Sequence, residues 1–182
     1  MPSSAIVTKF ADDIAIIIKR KSLKSSIKLM EKSLAVIKSN LDNIGLELAP
    51  LKTKLLHFNK QGLKPGEIEL KIGNVSIKSC KEVLYLGVTF DFESTFQSHR
   101  TYVRKKCFQT MNIIKFLRGT WWGADPETLL LLYKSHIRSL IECASFVYFP
   151  HKKAQIQSME RMQYAAIRMA LGYRISTNWA PI

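Results

Sequence analysis

Two kinds of hydrophobic pattern follow one another along the chain, and the first is typical of a β-hairpin. Residues 5–18 contain two apolar runs rich in β-branched residues, one on each side of Ala11-Asp12-Asp13. Short polar residues between two such runs favour a tight turn between paired strands. We therefore predict a hairpin over residues 5–18 with both aspartates in its turn.

The next segment has the period of an α-helix. Ser22 before this segment suits the N-cap, and Gly45 after it suits the left-handed C-terminal position. Its apolar residues recur at alternating spacings of four and three, which places them on one helix face. They are Leu23, Ile27, Met30, Leu34, Ile37, Leu41 and Ile44.

Strand-like patterns return after residue 50. Lys52–Phe58 is predicted to be a strand, and the alternation across residues 68–77 around Gly73-Asn74 predicts a second hairpin. Val83–Phe90 is predicted to be one further strand. Gly87 inside it indicates a bulge or a point of close backbone approach.

From about residue 94 the pattern is helical. A helix is predicted over Phe96–Leu117, and Asp125-Pro126-Glu127 supplies a cap, a proline and an acid that begin another helix, running to about Cys143. A last helix is predicted over Lys153–Leu171. The fold class is therefore α+β, with an α+β segment over residues 1–93 and an all-α region over residues 94–182.

The charge balance indicates what the chain binds. Twenty-eight Lys and Arg against fourteen Asp and Glu give a net charge of +14. Basic side chains displace counterions from a phosphate backbone, so a polyanionic partner is favoured over a merely soluble basic protein. No apolar run approaches the roughly 20 residues of a membrane span, so we expect no membrane partner. Three scattered cysteines favour an intracellular, reducing compartment.

The candidate chemistry lies in Phe10-Ala11-Asp12-Asp13. Adjacent carboxylates at a tight turn are held together at one end of a sheet, and such hard oxygen ligands suit Mg²⁺. Aspartate is also common in solvated turns, which is the alternative interpretation of the same tetrapeptide.

Four motifs in order resemble the C-terminal half of a reverse transcriptase palm followed by its thumb, specifically in non-LTR (LINE-type, jockey-like) retrotransposons. The aspartate tetrapeptide matches the palm motif that carries the family's metal-binding carboxylates. The others are Gly45-Leu46-Glu47-Leu48 with Lys52-Thr53-Lys54, then Leu84-Tyr85-Leu86-Gly87-Val88, then the helical stretches Tyr133–Ser139 and Gln163–Gly172.

The resemblance implies an RNA-directed DNA polymerase, a nucleotidyltransferase in which the primer 3′-hydroxyl attacks the α-phosphate of a dNTP. Two Mg²⁺ ions would serve the intact enzyme. Asp12 would be the metal-binding carboxylate, and Asp13 would support it or orient the turn. Lys52 would be the acid near the leaving pyrophosphate, although a solvated lysine fits the sequence nearly as well.

The same resemblance implies contacts with an RNA template and a DNA primer. Phe10 and Ala11 would lie against the end of the duplex, and Leu86 and Gly87 beside the primer. Phosphate contacts would come from the first C-terminal helix, although a solvated face is the alternative there. The residues are Arg100, Arg104, Lys105 and Lys106.

One part of the family pattern is missing. Only nine residues precede Phe10 and none is acidic, so the earlier metal-binding aspartate and the fingers are not encoded here. We expect a segment of a longer reading frame, found in the nucleus and cytoplasm and inactive without its N-terminal half. The alternatives are a non-catalytic basic nucleic-acid-binding module and a domesticated interaction protein.

Overall fold

The computed structural model describes residues 5–58, 67–72, 75–119, 123–148 and 153–173. The chain divides into two compact units. The first runs to Val83 and includes Asp91–Ser94, and the second comprises Leu84–Phe90 with the chain from Thr95 onward. Each unit has a hydrophobic core of its own.

The predicted N-terminal hairpin is confirmed. β1 (Ala5–Phe10) pairs antiparallel with β2 (Asp13–Ile18), in a register from Ala5 opposite Ile18 to Phe10 opposite Asp13. Only two residues, Ala11 and Asp12, connect the strands. The expectation that both aspartates lie in the turn is therefore wrong for Asp13, which begins β2 because it pairs with Phe10.

The predicted helix is also confirmed, as α1 (Leu23–Asn43). Ser22 occupies the N-cap position, and Gly45 has a φ of +73°. The Leu46 N–H donates to the Leu41 carbonyl at 2.9 Å and the Gly45 N–H to Asp42 at 3.1 Å. This is a Schellman motif, so the helix ends where its glycine permits a left-handed residue.

The second hairpin consists of β3 (Glu69–Ile72) and β4 (Val75–Lys78), as predicted, while Gly73-Asn74 lies outside the described residues. Helix α1 packs on it. The core of the first unit comprises Leu34, Leu70, Ile72 and Ile77, with Ile16, Ile27, Met30, Leu48 and Leu55 packed around it.

The predicted strand over Lys52–Phe58 is wrong. The chain turns at Ala49, whose carbonyl accepts from the N–H groups of Lys52 and Thr53, both at 3.1 Å. Only Leu55 then makes a bridge, parallel to Ser79. A strand needs a partner along its length, and the neighbouring segment offers only the residues just after β4.

The predicted single strand over Val83–Phe90 is a hairpin instead, with strands β5 (Glu82–Tyr85) and β6 (Val88–Asp91). Leu86 has a φ of +47° and Gly87 a φ of +81°, the combination of a type I′ turn. Gly87 is therefore a turn residue and not a bulge inside a strand. A two-residue turn leaves the apolar alternation unbroken, and this one lacks the usual Asn-Gly signal.

Beyond the β5–β6 hairpin, the described part of the second unit is helical, as predicted for the chain from about residue 94. Its helices are α2 (Gln97–Arg118), α3 (Pro126–Leu132), α4 (Ser139–Glu142), α5 (Ser145–Tyr148) and α6 (Lys153–Leu171). A π-helical segment, Tyr133–Arg138, joins α3 to α4. Asp125 caps α3 by accepting from the Thr128 N–H at 3.1 Å, as its position predicts.

The core of this unit lies between α2, α6 and the segment from α3 to α4. Its most buried side chains include Val103, Cys107, Ile114, Leu129 and Ile137. The described strands form three separate two-stranded sheets, so the fold class is α+β as predicted, with the strands in hairpins. No helix in the described residues is long and apolar enough to cross a membrane.

Candidate active-site hairpin and nucleic-acid interface

Asp12 lies at the tip of the first hairpin because the loop is only two residues long. Ala11, the first loop residue, has a φ of +52°. Left-handed backbone costs a residue with a Cβ about 1–2 kcal/mol, and glycine usually takes this position. The hairpin therefore holds its aspartate on a strained turn.

The two faces of this hairpin have different surroundings. Ile16 packs against the core, whereas Ile6, Ile17 and Phe10 are 63%, 52% and 63% exposed. Since side chains alternate along a strand, Phe10 and Asp13 lie on the exposed face with Ile6 and Ile17. The candidate site is thus at the end of an open, apolar sheet surface.

Asp12 and Asp13 supply two exposed carboxylates next to each other. In the described part of the chain, no group of three or more His, Cys, Asp or Glu side chains could hold a metal ion. Mg²⁺ in proteins is often held by only one or two carboxylates, with water and substrate phosphate completing its shell. The donor set of the hairpin fits that incomplete kind of site.

Lys52 lies in the turn that follows Pro50 and is exposed. The Thr53 hydroxyl fixes this turn by donating to the Ala49 carbonyl at 2.9 Å. Among the described residues, no hydrogen bond or ion pair joins Lys52 to Asp12 or Asp13. The structure therefore does not bring the predicted acid into contact with the carboxylates.

Leu86 and Gly87 form the exposed tip of the β5–β6 hairpin. A Cβ at Gly87 would meet nothing within 4 Å, so the glycine is required for its positive φ and not for space. Strand β6 is tied to α2, because the Thr89 N–H donates to His99 Nδ1 at 3.4 Å. This bond joins the β5–β6 hairpin to α2 inside the second unit.

His99 is buried beside this anchor. Its ring meets Tyr148 edge-on at 4.5 Å between ring centres. Burial, and then the nearby charge of Arg100, lower the pKa of His99 below its usual 6.5. The imidazole is therefore neutral near pH 7 and can accept the Thr89 hydrogen bond.

The predicted phosphate-binding residues on α2 have different surroundings. The Arg100 guanidinium donates to the Thr95 carbonyl at 2.6 Å and to Gln97 Oε1 at 2.9 Å, so it helps to hold the start of the helix. Arg104, Lys105 and Lys106 are exposed. These three side chains are the ones that could reach a phosphate backbone.

Two aromatic residues on α2 were missed by the sequence analysis. The Arg104 guanidinium carbon lies 5.7 Å from the centre of the Phe108 ring, and Lys106 Nζ lies 6.0 Å from that of Tyr102. Both pairs are four residues apart, a spacing that brings side chains together on a helix. In the sequence, the signal for these contacts is a basic and an aromatic residue four positions apart.

Comparison with known proteins gives three curated relatives. A Pol polyprotein of the type-1 retrotransposable element R1 4 from Nasonia vitripennis is 26% identical over 69% of the chain. In Drosophila melanogaster, the probable RNA-directed DNA polymerase of transposon BS is 24% identical over 64% of the chain. The RNA-directed DNA polymerase of mobile element jockey is 24% identical over 92% of it.

These relatives confirm the resemblance to non-LTR retrotransposon polymerases that the motifs indicate. The chain spans only 36%, 13% and 18% of their respective lengths. No family model matches the sequence. No solved structure matches it either.

Proposed function

We propose that this chain is the C-terminal palm segment and the thumb of an RNA-directed DNA polymerase from a non-LTR retrotransposon. The observation that carries the proposal is the position of Asp12, in a two-residue hairpin loop with Phe10 and Asp13 paired beside it. The named relatives support it, because the jockey polymerase aligns with nearly the whole chain. Residues 1–93 would form the palm segment and residues 94–182 the thumb.

The proposed reaction joins a dNTP to the 3′-hydroxyl of a DNA primer on an RNA template. Asp12 would hold Mg²⁺, with Asp13 as second carboxylate, and the ions would stabilise charge on the attacking and leaving oxygens. Phe10 and Ala11 would lie against the duplex end. The Leu86-Gly87 turn would lie beside the primer, and Lys52 would act near the pyrophosphate once substrate is bound.

The carboxylate assignment is tested in a chimaera that replaces the matching segment of the jockey polymerase by residues 1–182. We expect Mg²⁺-dependent DNA synthesis on an RNA template. Asp12→Asn should lower the rate roughly a hundredfold or more, because a metal supplies several kcal/mol of charge stabilisation.

Asp42→Asn, the same change at an exposed helix position, is the matched control and should retain the rate. Residues 1–182 alone should give no synthesis, since one hairpin supplies only two carboxylates. An active chimaera that tolerates Asp12→Asn would contradict the assignment, as would templated synthesis by the isolated chain.

The second candidate function is a non-catalytic nucleic-acid-binding module, and the observation that favours it is the charge of α2. This helix contains six basic residues and no acidic one. Such a module would bind nucleic acid without any need for Asp12. Both candidates act where retrotransposon RNA and target DNA occur, in the cytoplasm and nucleus.

Both candidates predict that the isolated chain binds nucleic acid with an affinity that falls steeply with salt. The net charge of +14 provides the attraction. The slope of log K against log salt is about −0.7 for each phosphate neutralised on a single strand. Fluorescence anisotropy at several salt concentrations measures it, and salt-independent binding would contradict a role for the basic surface.

A further inference from the structure

The outer face of α2 combines positive charge with exposed aromatic rings. Its buried stripe includes Val103, Cys107 and Ile114, so the opposite side of the helix is open. Tyr102 and Phe108 are 49% and 45% exposed on that open side. Ile113 and Phe116 on the same helix are also exposed, at 53% and 65%. Several large apolar groups exposed together on one helix are typical of an interaction site, unlike a single exposed residue.

The rings and the cations form two rows along the helix. Tyr102 and Lys106 lie one turn apart in the first row, and Arg104 and Phe108 in the second. Each ring thus has a positive group near it. Tyr102 also has the His99 ring stacked at 6.3 Å, with 28° between the ring planes, and about half of its surface remains exposed. In the described part of the chain, neither Arg104 nor Lys106 is recorded in an ion pair.

This arrangement fits unpaired nucleotides better than a duplex. A base can stack on an aromatic side chain only when it is free of its own stack, and such stacking tolerates any sequence. A cation beside each ring is then placed for the phosphate of the stacked nucleotide. A duplex would use the charges but leave Tyr102 and Phe108 without a role.

Two polar residues between the rows can bind the 2′-hydroxyl of a strand that lies across them. At 100° per residue, Gln109 and Asn112 fall between the rows, and both are exposed. Their amides donate and accept hydrogen bonds. The 2′-hydroxyl, which also donates and accepts, is the group by which proteins distinguish RNA from DNA.

We propose that the outer face of α2 is a binding site for single-stranded RNA, with Tyr102 and Phe108 as stacking platforms. Arg104 and Lys106 bind its phosphates, and Gln109 and Asn112 bind its 2′-hydroxyls. The proposal deepens the proposed function, because it names the strand that the basic helix takes. RNA binding at this face needs neither Asp12 nor DNA synthesis. An experiment that refutes this proposal therefore leaves the proposed polymerase function standing, and the reverse also holds.

The test measures binding of fluorescent oligo(U), of oligo(dU) and of the oligo(U)·oligo(A) duplex to residues 1–182 at one salt concentration. Oligo(U) and oligo(dU) differ only in the 2′-hydroxyl. We expect oligo(U) to bind most tightly. Equal or tighter duplex binding would overturn the single-strand site, and equal binding of oligo(dU) would overturn the choice of RNA.

Variants separate stacking from charge. Tyr102→Leu with Phe108→Leu should weaken oligo(U) binding about tenfold or more without changing the salt slope, since no phosphate contact is lost. Arg104→Gln with Lys106→Gln should weaken binding and make the slope shallower by about 0.7 per lost phosphate.

Phe146→Leu is the matched control, because Phe146 is an exposed ring outside α2, and it should bind as the parent does. Circular dichroism confirms that each variant is folded. A double leucine variant that is folded and binds oligo(U) as tightly as the parent would overturn the proposal. Loss of DNA synthesis in the chimaera with intact oligo(U) binding would leave it standing.

Discussion

At the scale of single residues, burial changes the pKa of several side chains in the helical unit. Burial raises the pKa of the Cys107 thiol to about 11 and that of Tyr148 to about 12. His99, buried against Tyr148, changes in the opposite direction because burial disfavours its cation. All three groups are therefore neutral near pH 7 and belong to the core of the helical unit.

The lowered pKa of His99 predicts how stability depends on pH. In the unfolded chain His99 becomes protonated below pH 6.5, whereas in the folded chain it becomes protonated only at a lower pH. The contribution of neutral His99 is thus complete above pH 6.5 and is lost as the pH falls towards its lower folded pKa.

Thermal melts across this range should therefore show a melting temperature that decreases on acidification. The decrease should be smaller in His99→Gln, in which an amide oxygen can still accept from the Thr89 N–H. Identical pH profiles for the two proteins would contradict the neutral, accepting state of His99.

At the scale of elements, short helices rely on single polar contacts. The Tyr148 hydroxyl of α5 donates to the Ile141 carbonyl of α4, and its ring packs on His99 of α2. One side chain therefore ties together three helices, two of which are only four residues long.

Tyr148→Phe should lower the free energy of unfolding by about 1–3 kcal/mol, because it leaves the Ile141 carbonyl without its phenol donor. Tyr164→Phe, at a half-exposed position of α6, should change it by less than about 0.5 kcal/mol. Urea denaturation measures both. Equal effects of the two substitutions would show that the Tyr148 bond does not stabilise the unit.

The elements also show what sequence can and cannot predict. Helix α1 has a continuous apolar stripe and a glycine stop, so its ends were predictable within a residue. The Leu86-Gly87 turn was missed because it interrupts no alternation. The Lys52–Phe58 strand was predicted from local pattern alone, while its pairing depended on a distant partner, the residues just after β4.

The candidate site also has one part that the sequence predicts and one part that it does not. The position of Asp12 follows from its neighbours, because two apolar runs enclose a short loop. The engagement of Arg100 at the start of α2 depends on how the chain enters that helix, through Phe96 at a φ of +54°. A sequence pattern does not encode this backbone geometry. The sequence therefore could not show that Arg100 is engaged at the start of its own helix while Arg104 is exposed.

At the scale of the whole molecule, the two units differ in how well their surfaces are covered. The helical unit buries a large cluster, whereas the first hairpin exposes Ile6, Phe10 and Ile17. Two-stranded sheets are marginal in water unless they pack against something. An open apolar edge also pairs readily with other chains.

Native-state hydrogen exchange should therefore separate the units. We expect amides of α2 and α6 to be strongly protected and amides of β1 and β2 to exchange faster, with concentration-dependent association as the chain is concentrated. A monodisperse monomer with uniform protection would contradict this, and it would favour a domain that is stable by itself.

The register of the first hairpin affects how its sequence can change over generations. Apart from Thr8, Lys9 and Asp13, the side chains on both faces are apolar. A slip by one residue would turn Ala15 or Ile17 towards the core in place of Ile16, so an apolar contact with the core would remain. A codon gained or lost in the Ala11-Asp12 loop would leave a hairpin but carry Asp12 away from Phe10. The proposed role of Asp12 requires a loop of constant length, and we expect two loop residues in related copies that still synthesise DNA.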